Sequence, residues 1–307
     1  MKPLNIVFYA SAKPREIVLA KALAEGCKRH GDKVEIRWTS DYGEDDQEND
    51  LKYAGPSSDT DVACSFGVKG KSLRIICDHL AVNKSTLLFD KGYTRQKGND
   101  ETGHTKYSRI SVNAGDPSAY MMLIKRPGDR WRKTEVTPSE GRTESRNGPI
   151  LICGSSAKYH AFHRLEDPTR WAQTLVSRLV KLTHHHIVYR PKPSSKLPSV
   201  TGASYSGSNN SIRDALHGCH VMITYGSGAS LDAIVSGVPV ITLGVGIALP
   251  VSETILENVK KPFWPDDALR SRWFSAVGYC QWTTEELRSG EAWSELKYEI
   301  IRQGKLS

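Results

Sequence analysis

The chain lacks any framework of metal ligands or disulfides. Its six cysteines (Cys27, Cys64, Cys77, Cys153, Cys219 and Cys280) are scattered over 307 residues with no CxxC pair or other ligand spacing. That excludes a zinc module or a disulfide-stapled secreted scaffold and fits free, buried thiols in a reducing cytoplasm. His184-His185-His186 opens an apolar segment that reads as a strand, where successive side chains face opposite sides and cannot converge on one ion. Asp59-Thr60-Asp61 matches a D-x-D metal pattern but precedes a strand instead of following one. No metal site is expected. Nor does any apolar run reach the roughly 20 residues that a membrane helix needs. The apolar stretch Leu4–Ala10 spans seven residues with no small-residue cleavage site after it, and so reads as a first strand, not a signal peptide. Two nucleotide-binding fingerprints are missing too: there is no GxxxxGK[ST] pattern, and Gly226-Ser-Gly-Ala-Ser-Leu231 has no third glycine for a GxGxxG turn.

What is present is an alternation of strand and helix signals. Ile6–Ala10, Val34–Trp38, Asp61–Phe66 and Ser85–Phe89 read as strands, with an amphipathic helix over Glu16–His30 and a helix-like segment around Leu73–Leu80. Such alternation argues for a parallel sheet covered by helices. The acidic run 44–50 reads as a solvated loop. From Lys91 to Arg146 the pattern becomes irregular, with twelve Lys/Arg against seven Asp/Glu and with Tyr93, Tyr107, Tyr120 and Trp131 interspersed.

A second α/β series starts at Pro149–Cys153. Asp167 is placed as an N-cap with Pro168 at the first helical position, followed by Trp171, Leu175, Leu179 and Leu182 at helical spacing. A strand over His184–Arg190, a Pro/Ser/Gly-rich loop over 191–210 and a capping box at Ser211–Asp214 come next. A final helix is expected from about Thr284 to Arg302. The expected domains are 1–146 and 147–283, with 284–307 as a helix crossing back to the first. Open α/β sheets bind ligands beyond the carboxyl ends of their strands, so the site belongs in a cleft between the two domains.

The chemistry is carried by TYGSGASLDAIVSGVPVITLG, Thr224–Gly244. His220–Thr224 and Val238–Leu243 are of buried-strand length; Leu231, Ile234 and Val235 keep helical spacing between them, and Gly237 stands where a helix ends. Two readings of the Gly226-Ser227-Gly228 turn remain open. Its backbone, the Ser230 hydroxyl and the helix start can cradle a diphosphate, with Asp232 accepting from a ribose diol; or the glycines only permit a tight turn.

This segment resembles the C-terminal-domain signature of GT-B-fold glycosyltransferases, in which a Gly/Ser turn precedes an acidic residue, Ala, a short helix and G-x-P-V-I. Here these stand as Gly226-Ser227-Gly228, Asp232, Ala233 and Gly237-Val-Pro-Val-Ile241. It is especially similar to the capsule-polysaccharide-type transferases. Many GT-B enzymes carry two glutamates eight positions apart, where this chain has Thr224 and Asp232. Val188-Tyr-Arg-Pro-Lys-Pro193 and Cys153-Gly-Ser-Ser-Ala-Lys158 resemble the loops that face the donor in those relatives. The resemblance therefore implies two Rossmann-like domains of GT-B type facing across a cleft, and a metal-independent transfer of sugar from a nucleotide-diphosphate sugar, a UDP-sugar, with no resident cofactor. It implies donor contacts from Gly154, Ser155, Lys158, Arg190, Lys192, Gly226, Ser227, Gly228, Ser230 and Asp232.

The first half is similar to tailed-phage glycosyltransferases related to phage DNA glucosyltransferases. The carriers are Phe89-Asp-Lys-Gly-Tyr-Thr-Arg95 and His104–Asn113, and near the C-terminus Ser252–Glu257 and Tyr279–Glu285 are similar to the same group. That resemblance implies a 5-hydroxymethylpyrimidine in phage DNA as acceptor and the host cytoplasm as location. Asp90 at a strand end, or His104, is the candidate base that takes the acceptor hydroxyl proton; the alternatives are a turn cap and a surface histidine. Lys91, Arg95, Lys106 and Arg109 with Tyr93 and Tyr107 suit a phosphate backbone and stacked bases, or form a solvated basic loop. A transferase acting on a capsular or surface glycan, and a non-catalytic nucleotide- or DNA-binding protein of the same fold, are the rival functions. The net charge of +8 favours a polyanionic partner.

Overall fold

A computed structural model describes residues 3–39, 53–67, 70–98, 105–143, 146–192, 200–207 and 210–304. In chain order the elements of the first half are β1 (Asn5–Ala10), α1 (Pro14–Arg29), β2 (Lys33–Trp38), β3 (Val62–Phe66), α2 (Gly70–Ala81), β4 (Ser85–Lys91), β5 (Tyr107–Val112) and α3 (Asp129–Arg132). The second half adds β6 (Ile150–Cys153), α4 (Ala157–Phe162), α5 (Pro168–Leu182), β7 (Ile187–Arg190), β8 (Ser204–Tyr205), α6 (Ile212–Leu216), β9 (Val221–Thr224), α7 (Ala229–Val235) and β10 (Val240–Thr242). Then come α8 (Asp267–Gly278), β11 (Gln281–Thr283), α9 (Thr284–Ser289) and α10 (Glu291–Arg302). The chain divides into two units, one of Met1–Gly115 with Cys280–Ser307 and one of Asp116–Tyr279.

The first unit is a six-stranded sheet in the order β11-β5-β4-β3-β1-β2. Strands β2, β1, β3 and β4 run parallel, β5 is antiparallel to β4, and β11 is antiparallel to β5. Continuous burial along β1, β3 and β4 explains their unbroken apolar runs, as expected for strands covered on both faces. Phe8 of β1 and Phe89 of β4 close the core with ring centroids 5.1 Å apart. Strand β5 falls in the stretch read as irregular. Its apolar alternation is hidden because Ser108 and Ser111 are buried as well, Ser108 Oγ accepting from Arg15 Nη2 at 3.1 Å.

The C-terminal residues complete this first unit. Gln281, buried in β11, accepts the Tyr93 N–H on its Oε1 at 2.8 Å. A Cβ at Gly26 of α1 would run into the Leu287 carbonyl, so α9 lies against α1 at glycine distance. The single helix expected over Thr284–Arg302 is two, because Gly290 adopts φ +86° between α9 and α10, a left-handed conformation that glycine takes without a Cβ penalty. Asp32, after α1, anchors α10: it accepts from Trp293 Nε1 at 2.7 Å, from Lys297 Nζ at 2.7 Å and from the Leu4 N–H at 2.8 Å.

The second unit is a five-stranded, all-parallel sheet in the order β10-β9-β6-β7-β8. Ile150, Ile152, Val221, Ile223 and Ile241 pack with Leu175 and Leu179 of α5 in its core. Asp167 caps α5 through the Thr169 N–H and Ser211 closes the capping box with Asp214, both as the sequence indicates. Strand β7 starts at Ile187, so the three histidines precede it and do not open it. His185 Nδ1 instead donates to the Gly148 carbonyl at 2.7 Å while its ring stacks on His220 at 4.3 Å.

Residues 116–146, expected with the first domain, belong to the second unit. Trp131 packs on Phe274 of α8 at 4.6 Å, Arg130 Nε donates to the Gly278 carbonyl at 3.1 Å, and the Ser139 N–H donates to the Val235 carbonyl at 2.8 Å. These ties to α7 and α8 bridge long sequence separations, which local pattern does not reveal.

Candidate functional site

In the second unit the strand order reverses between β6 and β9. The chain leaves β6 toward β7 and leaves β9 toward β10, so the loops after these two strands diverge and open a crevice at the carboxyl edge of the sheet. The loop after β6 holds Gly154 and Ser155; the loop after β9 holds Gly226, Ser227 and Gly228, with Ser230 and Asp232 in the first turn of α7. These predicted residues are therefore brought to one place by topology.

The crevice floor is tied by a residue that the sequence marks only as a departure from a glutamate. Thr224, fully buried, donates its hydroxyl to the Cys153 carbonyl at 3.0 Å, joining the ends of β9 and β6. The same oxygen accepts from the Ser227 N–H at 2.9 Å and the Gly226 N–H at 3.3 Å. Two amides expected to face an anion are thus spent on the turn itself. Helices α4 and α7, at six and seven residues, are also too short to present a strong macrodipole. What remains at the floor is hydroxyl chemistry. Ser155 Oγ and Ser230 Oγ are buried and meet no hydrogen-bond partner among the described residues. A buried polar group left in that state costs about 1–3 kcal/mol.

Glycine is required here by close approach. A Cβ at Gly226 would collide with the Val245 carbonyl and the Tyr159 hydroxyl, and one at Gly154 would sit 2.9 Å from the Tyr189 hydroxyl. Burial pushes the Tyr189 phenol up to about 12, with Asp167 adding to the shift. Tyr159 donates to the Val245 carbonyl at 2.5 Å and so locks the loop after β10 against α4. Its ring lies 4.3 Å from His163 and 6.3 Å from Tyr225, so three half-buried rings stand over the loops that follow β6 and β9. Burial draws the His163 imidazole below its ordinary value, against the opposing pull of Asp116. The sequence signal for this cluster was slight: an aromatic at the third position after the Ser156 N-cap and another directly after a strand.

The remaining predicted donor contacts stand apart from the floor. Arg190 is buried, and its guanidinium donates to Ser206 Oγ at 3.0 Å, to the Gly207 carbonyl at 2.8 Å and to the Asn210 carbonyl at 2.6 Å. It ties Ser206, Gly207 and Asn210 together and is not left free to neutralise a diphosphate. Lys158 and Lys192 are exposed, and Asp232 is half-buried.

In the first unit, Asp90 sits opposite Arg109 in the β4–β5 ladder and pairs with it at 2.7 Å, its other oxygen accepting the Lys91 N–H at 2.8 Å. The Arg109 guanidinium lies 5.4 Å over the Tyr93 ring. Lys91, Arg95 and Lys106 are exposed. Tyr93 and Tyr107, expected to stack on bases, are each only 4% exposed and belong to the core, because the β4–β5 ladder and β11 close over them. His104 lies outside the described residues. Asp61 of the D-x-D segment accepts the Asn5 N–H at 2.8 Å and so caps β1. Among the described residues no three His, Cys, Asp or Glu side chains are grouped as a metal site, and no helix is long and apolar enough to cross a membrane.

Two parallel-sheet bodies of this kind, one with its crevice at the β6/β9 reversal, define the GT-B fold. No family model and no curated protein matches the chain. Among solved structures it is similar to the β Kdo 2,4 transferase of Thermosulfurimonas dismutans KpsC, with a TM-score of 0.56 at 10% identity over 90% of this chain and 91% of that one. It is similar as well to the β Kdo 2,7 transferase of the same KpsC, with a TM-score of 0.50 at 12% identity over 96% of this chain and 99% of that one.

Proposed function

We propose that the protein is a glycosyltransferase that moves a sugar from a nucleotide-sugar, a UDP-sugar, to a hydroxyl. The observation that carries this reading is the pair of buried hydroxyls without a partner among the described residues, Ser155 on the loop after β6 and Ser230 in the first turn of α7 after β9, at the strand reversal of a GT-B fold. Phosphate oxygens are acceptors that satisfy both. The leaving diphosphate takes hydrogen bonds from these serines, with Lys158 and Lys192 on the neighbouring loops supplying positive charge and Asp232 facing the ribose. The Tyr159, His163 and Tyr225 rings wall the same crevice. Asp90, paired with Arg109 at the end of β4, is the base that takes the acceptor proton.

Two acceptors fit. A 5-hydroxymethylpyrimidine in phage DNA is favoured by the net charge of +8 and by exposed Lys91, Arg95 and Lys106. A surface or capsular glycan is favoured by the burial of Tyr93 and Tyr107, which withdraws both of these rings from base stacking, and by the two solved transferases of like fold. The deciding experiment incubates the protein with a panel of nucleotide-sugars and either hydroxymethylpyrimidine DNA or oligosaccharide acceptors, and reads the products by mass. A sugar-sized gain on one acceptor class assigns it. Absence of any transfer or donor hydrolysis, together with absence of nucleotide binding, overturns the reading.

A further inference from the structure

The second unit contains a cavity that the nucleotide reading does not use. It lies between α3 and α8, has a volume of about 350 Å³, and is lined by Trp131, Arg132, Asp267, Arg270, Phe274 and Ser275 among others. Its wall is cationic. Arg270, 6% exposed, gives Nη2 to the Glu140 carbonyl at 2.9 Å and to Asp267 Oδ1 at 2.8 Å, while its Nη1 is buried with no acceptor among the described residues. A guanidinium nitrogen left in that state carries an unpaid desolvation cost, larger for a charged group than for a neutral one. The exposed Arg132 side chain makes no hydrogen bond or ion pair among the described residues, and its Nη1 lies over Gly128, 3.2 Å from where a Cβ would stand. Asp267, with 84% of its side chain exposed, balances one of the two arginines, so the wall keeps one net positive charge. Trp131 and Phe274, stacked 4.6 Å apart, supply an apolar side.

We propose that this cavity is a binding site for a small oxyanion, a phosphate or carboxylate group carried on an apolar or ring-bearing body. The acid group sits against Arg132 and the part of Arg270 that lines the cavity, and the body rests on Trp131 and Phe274. A planar guanidinium pair matches the two oxygens of such a group better than an ammonium does. The Ser275 hydroxyl, which donates to the Ser271 carbonyl at 3.0 Å, borders the same space and limits how bulky the body is. The residues are all of the second unit and none belongs to the β6/β9 crevice, so the site stands whether or not the crevice takes a nucleotide.

The test uses the full chain and three probes: inorganic phosphate, phenyl phosphate and benzoate, titrated by calorimetry and by tryptophan fluorescence. Saturable binding is expected for at least one ring-bearing probe, tighter than for inorganic phosphate. Arg270→Lys keeps the pair with Asp267 and the fold but has no second guanidinium nitrogen; Arg132→Ala leaves the helix surface intact. Each is expected to weaken binding by about tenfold or more, with an unchanged melting temperature for Arg132→Ala confirming an intact fold. Lys260→Ala, remote from the cavity, is expected to change nothing. The proposal is overturned if no probe saturates, or if binding survives Arg132→Ala and Arg270→Lys at wild-type strength.

Discussion

The Thr224 hydroxyl and the Cys153 carbonyl, 3.0 Å apart, clamp the ends of β9 and β6 where the two loops of the crevice diverge. Because the same oxygen accepts the Gly226 and Ser227 amides, one side chain sets the shape of both loops. Thr224→Val keeps the volume and removes all three bonds. It is expected to lower stability by about 1–3 kcal/mol and to abolish nucleotide binding, read by thermal melting and calorimetry. Thr224→Ser is expected to retain both properties.

Ser155 and Ser230 lead to an expectation of opposite sign for stability. Each buries a hydroxyl with no partner among the described residues, so Ser155→Ala and Ser230→Ala are expected to leave the unliganded protein as stable as wild type, or more stable by up to about 1 kcal/mol. Nucleotide affinity is expected to fall about tenfold for each. A variant that loses stability without losing affinity would place its hydroxyl outside the donor site.

The β6 and β9 units were legible because buried parallel strands and a small-residue turn are local in sequence. So were the caps of α5 and α6, where Asp167 and Ser211 act within three residues of their own helix. What escaped was everything set by distant contact. Arg190 reads as a free cation after a strand until the Gly207 and Asn210 carbonyls are seen around it. Tyr93 and Tyr107 read as stacking rings in a basic loop, whereas Gln281 and the β4–β5 ladder bury them. Thr224 was seen only as a departure from a glutamate.

Substituting Asp90 tests the proposed acceptor chemistry apart from the donor chemistry. If it takes the acceptor proton, Asp90→Asn lowers turnover by about a hundredfold or more while nucleotide affinity, set in the other unit, stays at the wild-type value. Arg109→Gln, which frees the carboxylate from its 2.7 Å partner, is expected to alter the pH profile of transfer and to leave donor affinity alone. Steady-state rates paired with calorimetry check both.

Asp32 makes acid stability predictable. Burial alone would raise its carboxyl, but hydrogen bonds from the Leu4 N–H, Lys297 and Trp293 more than reverse this and hold it below the ordinary value. Its stabilisation is therefore present above the unfolded value of about 3.9 and is lost as pH falls through the lower folded value. Asp32→Asn is expected to cost about 2–4 kcal/mol at neutral pH and to flatten the stability curve below about pH 4. Denaturant melts at stepped pH give both quantities.

The C-terminal return also orders events on the ribosome. The first unit consists of Met1–Gly115 and Cys280–Ser307, with Asp116–Tyr279 inserted between them. The inserted unit has all its strands once Thr242 is made, whereas the first sheet waits for β11 and its helical cover for α9 and α10. A nascent chain stalled before Gln281 carries β5 as an open edge, with the Tyr93 amide and the Asp32 carboxylate lacking their partners. Late truncations therefore strike the beginning of the protein, and the vulnerable species during synthesis is an unfinished first unit, not a missing tail.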